Sequence, residues 1–465
     1  MRPSLKQVCI QGLGFVGAAM AVAVAMARAP SGGPIYSVIG IDLDTPEGNK
    51  RVNAINNGTF PFSVDDPELA GTLKKCVEEG SLSATTNPSC FATADIVVVD
   101  IPLDLPFRQR QVEFKFDEFV NGLKTVFQLI KPGALVIIET TIPPGTCEKI
   151  IKPALKKELR DRGLGEDTVY LAHSFERVMP GPQYLDSVID YWRVYAGDNE
   201  FAADKCEEFL SNVINTSEFP LTRLSSLTAS ESTKVLENTY RSVNIAFIEE
   251  WTGYAEAIGI DLFEVLDAIR MRPTHANIRF PGIGVGGYCL TKDPLFAPAA
   301  AKQMFGLPDA TFPFAELSTE VNQQMPIRCA NNLKDLMGGS LAGTKLLILG
   351  VAYRSDVGDT RYSPVETYVR KVEDEGAMTC FVDPYVEYWD EMGRPSLSEL
   401  PEPSSIDAVI FCVAHRQFKK FNLSKWMGAY RPYIQDLACV LTEVERRQLR
   451  VLGCSVESVG RGQGL

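Results

Sequence analysis

Short apolar runs without regular polar alternation recur along the first 200 residues. The runs are QVCIQ (7–11), SVIGI (37–41), DIVVVD (95–100), ALVIIET (134–140), VYLAH (169–173) and WRVYAG (192–197). Such runs predict strands that are buried on both faces of a parallel sheet. Helical segments separate them, beginning with FVGAAMAVAVAMARA (15–29). Strands that alternate with helices predict a doubly wound α/β domain.

The pattern changes near residue 224. Residues 227–260 keep helical periodicity without a proline, which predicts one long helix followed by shorter ones. GGSLAG (338–343) then predicts a linker, and KLLILGVAY, MTCFVDPYV and DAVIFCVA repeat the strand pattern. The predicted fold class is α/β, with two Rossmann-like doubly wound domains joined by a long central helix and a helical middle domain. The predicted domains comprise residues 1–222, 223–335 and 336–465.

The composition narrows the class of protein. About 45% hydrophobic and 23% charged residues are ordinary globular usage, and the formal net charge is −13. This charge disfavours nucleic acids and anionic membranes as partners. The apolar stretch near the N-terminus is shorter than the roughly 20 residues that a membrane helix needs. We therefore expect a cytoplasmic protein.

Cysteine and histidine usage gives little support to a metal site. Eleven cysteines are scattered along the chain without a CxxC pair, and there are only three histidines. We therefore expect neither a disulfide scaffold nor a bound metal.

A glycine-rich turn follows the first predicted strand. GLGFVG opens a helix, and a second strand ends in an aspartate. This context fits a dinucleotide site, because glycines let the backbone approach the diphosphate and the carboxylate binds a ribose hydroxyl of NAD. The alternative is a tight turn without a ligand. The predicted NAD-binding residues are Gly12, Gly14, Phe15, Val16, Gly17 and Asp42.

A second glycine-rich stretch, GIGVGGYCLTKDP (282–294), contains Cys289 and, four residues later, Asp293. Lys292 stands where it could help to stabilise a thiolate. The alternative is one more buried cysteine. A thiol beside an NAD domain favours oxidation of an aldehyde, because a covalent thiohemiacetal can lose hydride to give a thioester that water cleaves. We expect these glycines to make room for the carbon that reacts.

The long predicted helix carries Lys234, Asn238 and Arg241 near one face. A solvated helix face is the ordinary interpretation of such a triplet. A functional interpretation depends on the motifs around it.

Six ordered motifs resemble those of the UDP-glucose/GDP-mannose dehydrogenase family. They are GLGFVG, TTIPPGT (140–146), HSFERVMPG (173–181), TKVLENTYRSVNIA (233–246), GVGGYCLTKDP and LGVAYRSDVGDTRYSP (349–364). The resemblance covers nearly the whole chain. It implies four-electron oxidation, with two NAD⁺ in sequence, of the C6 hydroxymethyl of a nucleotide sugar to a carboxylate.

The resemblance also implies residue roles. Cys289 would be the nucleophile, Lys234 and Asn238 would stabilise the oxyanion, and Asp293 would orient or activate water. Thr141 and Glu176 would assist, with Thr141 also near the cofactor. Arg361 would bind the nucleotide. Other positions that would line the substrate site are Arg241, Asn277, Gly286 and Arg354. Family members are homodimers or larger assemblies, with the long helix at the interface.

Departures from the family pattern leave the substrate open. Phe175 replaces the usual proline, and Pro180 and the YRSVNIA motif are similar to the UDP-N-acetylhexosamine branch. Tyr288 replaces the histidine of that branch, while Lys292-Asp293 is similar to the UDP-glucose branch. DIPLDLP (100–106) differs from the family's loop, so its contacts with NAD stay open. We lean to an N-acetylhexosamine over glucose.

Two other functions compete with this interpretation. One is a two-electron hydroxyacid dehydrogenase of the 6-phosphogluconate type, which would leave Cys289 and the second α/β domain unexplained. The other is a non-catalytic protein that binds a nucleotide sugar or NAD.

Overall fold

A computed structural model describes residues 5–103 and 114–462. The chain forms two compact units. The first unit contains residues 1–237 and 295–311, and the second contains residues 238–294 and 312–465. The three domains predicted from the sequence, with boundaries at 222 and 335, stay a prediction.

Fifteen strands occur in the described residues. They are β1 (Lys6–Gln11), β2 (Tyr36–Ile41), β3 (Leu82–Thr85), β4 (Ile96–Val99), β5 (Leu135–Ile138), β6 (Tyr170–His173), β7 (Val194–Gly197), β8 (Thr222–Arg223), β9 (Lys345–Leu349), β10 (Met378–Val382), β11 (Tyr388–Trp389), β12 (Arg394–Pro395), β13 (Ala408–Phe411), β14 (Tyr433–Asp436) and β15 (Val456–Ser458).

The α-helices of the described residues also number fifteen. They are α1 (Phe15–Ala25), α2 (Pro46–Asn56), α3 (Pro67–Glu78), α4 (Asp117–Leu129), α5 (Lys152–Asp161), α6 (Asp186–Ile189), α7 (Glu200–Val213), α8 (Leu227–Ile258), α9 (Leu262–Arg270), α10 (Phe296–Gln303), α11 (Pro313–Leu336), α12 (Pro364–Asp374), α13 (Arg416–Lys419), α14 (Leu423–Met427) and α15 (Glu443–Val451).

The sheet of the first unit has the strand order β3-β2-β1-β4-β5-β6-β7-β8. Alternate residues of each central strand enter different apolar clusters. Val8 and Val98 lie in one, and Cys9 and Val97 lie in the other. Both faces are therefore covered, which is why the sequence shows apolar runs instead of alternation. The strand order reverses between β1 and β4, and ligands of such sheets bind outside the carboxyl ends of strands at this reversal.

The second unit contains another doubly wound sheet, with the order β10-β9-β13-β14-β15 and every pair parallel. Its strands also divide their side chains between two clusters, as Leu346 and Leu347 show. Together the two sheets confirm the predicted α/β fold class.

Some strands differ from the prediction. WRVYAG does contain β7, but β7 runs antiparallel to β6. The sequence did not indicate β3, whose LSAT lacks an apolar run, or β14, whose YIQD ends in polar residues. β3 pairs with the longer β2, and β14 lies between β13 and β15, so this pairing overrides weak local propensity.

Helix α1 is buried on all sides. Its residues from Gly17 to Ala25 are all buried. Alanine and valine are small enough for the helix to pack closely between the sheet and α3, so no polar face is needed. The predicted helix is confirmed, although it ends at Ala25 instead of residue 29.

The long helix predicted from residue 227 is confirmed as α8, whose 32 residues begin in the first unit and end in the second. Its first turns are held by Glu231, a fully buried carboxylate. The backbone N–H groups of Gly145 and Cys147 donate to Glu231 at 2.5 and 2.7 Å. Burial raises the pKa of Glu231 to about 7, although these two donors act to lower it. Glu231 thereby joins α8 to the TTIPPGT turn.

His173 ends β6 and is fully buried. Its Nδ1 lies 2.8 Å from the Ser230 hydroxyl of α8, and Nε2 has no hydrogen-bond partner among the described residues. Burial lowers the pKa of His173 to about 3. The imidazole is therefore neutral in the folded protein at neutral pH.

We predict that His173 makes the protein sensitive to acid. Because the folded-state pKa lies below the ordinary value of about 6.5, the stabilisation is complete above pH 6.5. It is lost as the pH falls toward 3, by about 1.4 kcal/mol per pH unit. His173→Gln should flatten the free energy of unfolding between pH 6.5 and 5 relative to wild type, measured by denaturant titration. The exposed His275→Gln is the matched control. Equal slopes for wild type and His173→Gln would contradict the prediction.

Candidate functional site

The first set of predicted site residues surrounds the turn between β1 and α1. Gly12 has φ +94°, and a Cβ there would lie 2.8 Å from the Asp100 carbonyl oxygen. A Cβ on Gly17 would lie 1.9 Å from the Gly12 carbonyl oxygen. Both positions therefore require glycine for the turn to close. Phe15 and Val16 form the first turn of α1.

This turn fits a dinucleotide. Gly14 is exposed, and a Cβ there would have no described atom within 4 Å, so the backbone is open to a ligand. No side chain caps the N-terminus of α1, and its first turn carries no acidic residue. Free N–H groups and the helix dipole at such an end favour a phosphate.

Asp42 follows β2, as the dinucleotide pattern predicts. It accepts hydrogen bonds from the backbone N–H groups of Leu13 at 3.3 Å and Leu43 at 2.8 Å. The guanidinium of Arg51 donates to both carboxylate oxygens, at 2.7 and 3.1 Å. Sequence reasoning missed Arg51, which lies in α2, nine residues after Asp42. Asp42 therefore enters the site already oriented and partly neutralised.

Glu176 and Lys234 lie together in the first unit. The ammonium group of Lys234 donates to the Glu176 carbonyl oxygen at 2.7 Å and lies 3.4 Å from its carboxylate. It also lies 5.4 Å from the centre of the Phe175 ring, the residue that departs from the family's proline. Thr141 is half-buried just after β5. The roles of Glu176, Lys234 and Thr141 stay predictions.

The second unit holds the thiol. The N–H of Asp293 donates to the Cys289 carbonyl oxygen at 2.9 Å, which forms the helical turn that the spacing predicted. The Asp293 side chain is fully buried, and one carboxylate oxygen accepts from Asn238 at 2.7 Å. The other oxygen accepts from Lys292 at 3.0 Å. Asn238 therefore orients Asp293 in this structure, and its predicted oxyanion role stays a prediction.

Lys292 bonds to the carboxylate beside it and also lies 4.2 Å from the centre of the Tyr288 ring. Tyr288, which differs from the UDP-N-acetylhexosamine branch, and Lys292, which is similar to the UDP-glucose branch, thus contact each other. Cys289 itself is half-buried.

Three of the glycines before Cys289 are required by close packing, and the prediction that they make room for a substrate stays a prediction. A Cβ on Gly284 would lie 2.8 Å from Pro364, and one on Gly286 would lie 2.7 Å from Tyr353. Gly287, at φ +83°, would meet the Tyr353 ring at 2.8 Å. These glycines let the thiol loop pack against residues 353–364. Substrate binding by Gly286 stays a prediction.

That packing brings the predicted nucleotide-binding segment to the thiol. Burial, with the negative charge of Asp359, raises the pKa of Tyr353 to about 12. Arg361 donates to Asp359 at 2.9 and 2.7 Å and lies 6.0 Å from the centre of the Tyr288 ring. Arg354 is exposed beside Tyr353.

A cluster of arginines lies elsewhere in the second unit. Burial and the positive charges of Arg241 and Arg270 lower the pKa of Arg279. Asn277 is exposed and donates to the Tyr240 hydroxyl at 2.7 Å. Sequence reasoning selected Arg241 and Asn277 but missed Arg279, although it lies two residues after Asn277. Concentrated positive charge of this kind fits an anionic ligand.

A nucleotide-binding turn on one doubly wound sheet and a half-buried thiol in a second unit define an NAD-dependent oxidoreductase. Three parts of the UDP-glucose/GDP-mannose dehydrogenase family match the chain. Its NAD binding domain matches residues 6–213, its central domain 228–324 and its UDP binding domain 347–443. The chain belongs to this family and is an NAD-dependent nucleotide-sugar dehydrogenase.

Similar proteins of known name support the same assignment. The chain is 31% identical over 424 residues to a UDP-N-acetyl-D-mannosamine dehydrogenase of Methanocaldococcus jannaschii, covering 90% of this chain and 87% of that protein. It is 29% identical to the Escherichia coli enzyme of the same name, covering 90% and 96% of the two chains.

Solved structures share the fold over nearly the full length. A UDP-D-ManNAc dehydrogenase from Pyrococcus horikoshii aligns with a TM-score of 0.80 at 26% identity, covering 98% of this chain and 99% of that one. An NDP-N-acetyl-D-galactosaminuronic acid dehydrogenase from Methanosarcina mazei aligns with a TM-score of 0.77 at 28% identity, covering 100% and 96%.

Over 5–103 and 114–462, no three histidine, cysteine, aspartate or glutamate side chains are grouped so that they could hold a metal. Within the same ranges, every helix is too short or too polar to cross a membrane.

We predict that Asp42 selects NAD⁺ over NADP⁺. Asp42→Asn should weaken NAD⁺ use about 10- to 100-fold, the equivalent of one hydrogen bond to a charged group. It should weaken NADP⁺ use less, because Arg51 loses its carboxylate and can meet a 2′-phosphate. The measurement is kcat/KM for each cofactor, with the exposed Asp44→Asn as control. An unchanged ratio between the cofactors would contradict this role.

Proposed function

We propose that the protein oxidises the C6 hydroxymethyl group of a UDP-N-acetylhexosamine to a carboxylate. Within the nucleotide-sugar class, the substrate is proposed from relatives named UDP-N-acetyl-D-mannosamine dehydrogenase and from Pro180. The turn that links Cys289 to a buried, oriented Asp293 carries the four-electron part of the proposal. UDP-glucose is the competing substrate.

NAD⁺, when bound, supplies the hydride acceptor for each of the two oxidations. Gly12, Gly14 and Gly17 would face its diphosphate, and Asp42 its ribose. The first oxidation converts the alcohol to an aldehyde, with loss of a hydride and a proton.

Cys289 then adds to the aldehyde carbon through its sulfur to give a thiohemiacetal. Lys234 and Asn238 stabilise the negative oxygen by donating hydrogen bonds. Loss of the second hydride leaves a thioester on Cys289. Asp293 orients the water that attacks this thioester, which releases the carboxylate and returns the thiol.

Different arginines bind the nucleotide and the other groups of the nucleotide sugar. Arg361, with Arg354, binds the nucleotide, and Arg241, Arg279 and Asn277 bind anionic or polar groups of the substrate. The lowered pKa of Arg279 supports this assignment, because a bound anion would relieve the repulsion among the arginines.

We predict that Cys289→Ser stops the reaction before the acid. Uronic acid formation should fall at least about 100-fold, as when a nucleophile is removed from other covalent enzymes. Wild type should release two NADH per UDP-N-acetylhexosamine consumed, measured by absorbance against product mass. Cys380→Ser, at another half-buried cysteine, is the control.

NADH release from a panel of UDP-, GDP- and dTDP-sugars can contradict the proposal in two ways. One NADH per sugar with normal activity of Cys289→Ser would favour the two-electron hydroxyacid chemistry. Two NADH per UDP-glucose, with no turnover of UDP-N-acetylhexosamines, would move the substrate to the other branch.

We also propose that the protein works as a homodimer or larger homo-oligomer built on α8. Large apolar side chains of α8 are about half exposed in the single chain: Tyr240, Phe247, Trp251, Tyr254 and Ile258. Their spacings of seven, four, three and four residues place them on one helix face, the pattern of helices that pack in pairs. An apolar stripe of this kind on a soluble surface marks a protein interface.

We predict that Trp251→Ala with Tyr254→Ala dissociates the assembly. Truncation of a central aromatic residue costs about 2–4 kcal/mol in a typical interface, so the dissociation constant should rise about 30-fold or more. Sedimentation velocity across a concentration series measures this. Phe201→Ala, at an exposed aromatic residue of α7, should leave assembly unchanged. A monomeric wild type, or an unaffected double variant, would refute the interface.

A further inference from the structure

The carboxyl ends of four neighbouring strands place their next residues in one row. Strand register pairs Gln11 with Val99, Val99 with Ile138, and Ile138 with His173. The residues that follow are Gly12, Asp100, Glu139 and Ser174. Backbone hydrogen bonds continue the ladder through them: the N–H of Asp100 donates to Gln11 at 2.8 Å and that of Glu139 to Val99 at 3.0 Å. Asp100 and Glu139 are therefore side by side.

Both carboxyl groups have a buried oxygen without a donor. One oxygen of Glu139 accepts from Arg193 at 2.5 Å, and each of these side chains is only 2% exposed. The other oxygen, Oε2, is enclosed and has no hydrogen-bond partner among the described residues. The same is true of Asp100 Oδ2. Two enclosed carboxylate oxygens on paired residues satisfy each other only when a proton lies between them.

The surrounding charges decide which carboxyl group holds that proton. Burial, the charge of Glu139, a hydrogen bond to Glu139 and the charge of Glu176 all raise the pKa of Asp100, against Arg193, which lowers it. For Glu139, burial raises the pKa, while Arg193 and the hydrogen bond from Asp100 lower it. Arg193 is bonded directly to Glu139. These directions, with the direct bond between Arg193 and Glu139, favour Asp100 as the group that holds the proton.

Asp100 also forms the floor of the dinucleotide turn. A Cβ on Gly12 would lie 2.8 Å from the Asp100 carbonyl oxygen, and one on Gly17 would lie 3.1 Å from the Asp100 Cβ. An ionised Asp100 would place an uncompensated negative charge beneath the turn that receives a diphosphate. As a neutral acid it adds no charge to the ion pair that Arg193 and Glu139 form there.

We propose that Asp100 is a positioning residue for the cofactor that acts as a neutral carboxylic acid: it donates a hydrogen bond to Glu139, which Arg193 holds, and adds no negative charge beneath the Gly12–Gly17 turn. The proposal rests on the proposed binding of NAD over this turn. No bond is made or broken in this role.

The first test uses the protein without cofactor. Because the pKa of Asp100 is raised in the folded state, wild type loses stability as the pH rises from the unfolded value of about 3.9 toward the folded value. Asp100→Asn cannot ionise. Its equilibrium constant for unfolding should therefore fall relative to that of wild type by about tenfold per pH unit in that range. Denaturant titration from pH 5 to 8 measures this. Asp161→Asn, at an exposed aspartate, should show no such trend.

The second test compares cofactor binding by calorimetry at neutral pH. Asn can still donate to Glu139, so Asp100→Asn should bind NAD⁺ within about threefold of wild type. Asp100→Leu has similar size but no donor, and its Kd should rise more than tenfold. In steady-state kinetics, the KM for NAD⁺ should rise in Asp100→Leu with a smaller change in kcat.

Two results would overturn the proposal: a stability difference for Asp100→Asn that does not depend on pH, or NAD⁺ binding impaired as strongly in Asp100→Asn as in Asp100→Leu. If Asp100→Asn does not fold, infrared spectra of wild type with ¹³C-carboxyl aspartate replace it. A protonated carboxylic acid band at neutral pD supports the proposal, and its absence refutes it. Failure of wild type to bind NAD⁺ would instead refute the cofactor site, while the cofactor-free stability result would stand.

Discussion

The parallel ladder of the first sheet is the constraint on which the candidate cofactor site depends. A sheet that is covered on both faces can bind a ligand only where its strands end, so polar residues collect at the carboxyl ends of the strands. Asp42, Gly12, Asp100 and Glu139 follow four adjacent strands and continue their hydrogen bonding. Their spacing is set by the ladder and not by loops, which makes the edge rigid enough to orient a ligand.

Burial also determines how the carboxyl groups at and near these strand ends are compensated. A carboxylate in water would stay charged, but enclosure makes charge costly unless a partner compensates it. Glu139 has Arg193, and Glu231 has two backbone donors. Asp42 has Arg51. Asp100 Oδ2 lies beside another acid and has no donor among the described residues, which is the basis for proposing a proton there.

Sequence patterns predicted most of the fold, while the roles of the candidate site residues stay predictions. Runs such as DIVVVD and the periodicity of residues 227–260 predicted β4 and α8 because burial on both faces and helical packing leave strong signals. The GxGxxG turn and the Cys289–Asp293 spacing also predicted local geometry correctly, since an N–H to C=O bond at i+4 needs only adjacent sequence.

The sequence could not show contacts between distant segments. Arg193 reaches Glu139 across 54 residues, and Glu231 reaches Gly145 across 86. No local pattern marks such pairs, and each partner alone has the ordinary interpretation of a surface charge. The short strand β3 was missed for a related reason: its neighbour β2 supplies the stabilisation that LSAT lacks.

The glycines before Cys289 show how a correct motif can have a different physical basis. They were predicted to give space to a substrate, and the structure adds another reason for them: a Cβ on Gly284, Gly286 or Gly287 would meet Pro364 or Tyr353. Glycine is needed because a side chain at Gly286 would push away the segment that carries Arg361. The loop thereby couples the thiol to the proposed nucleotide-binding segment within one compact unit. Any larger residue there would disturb both at once, so the glycines serve the joint placement of Cys289 and the segment 353–364.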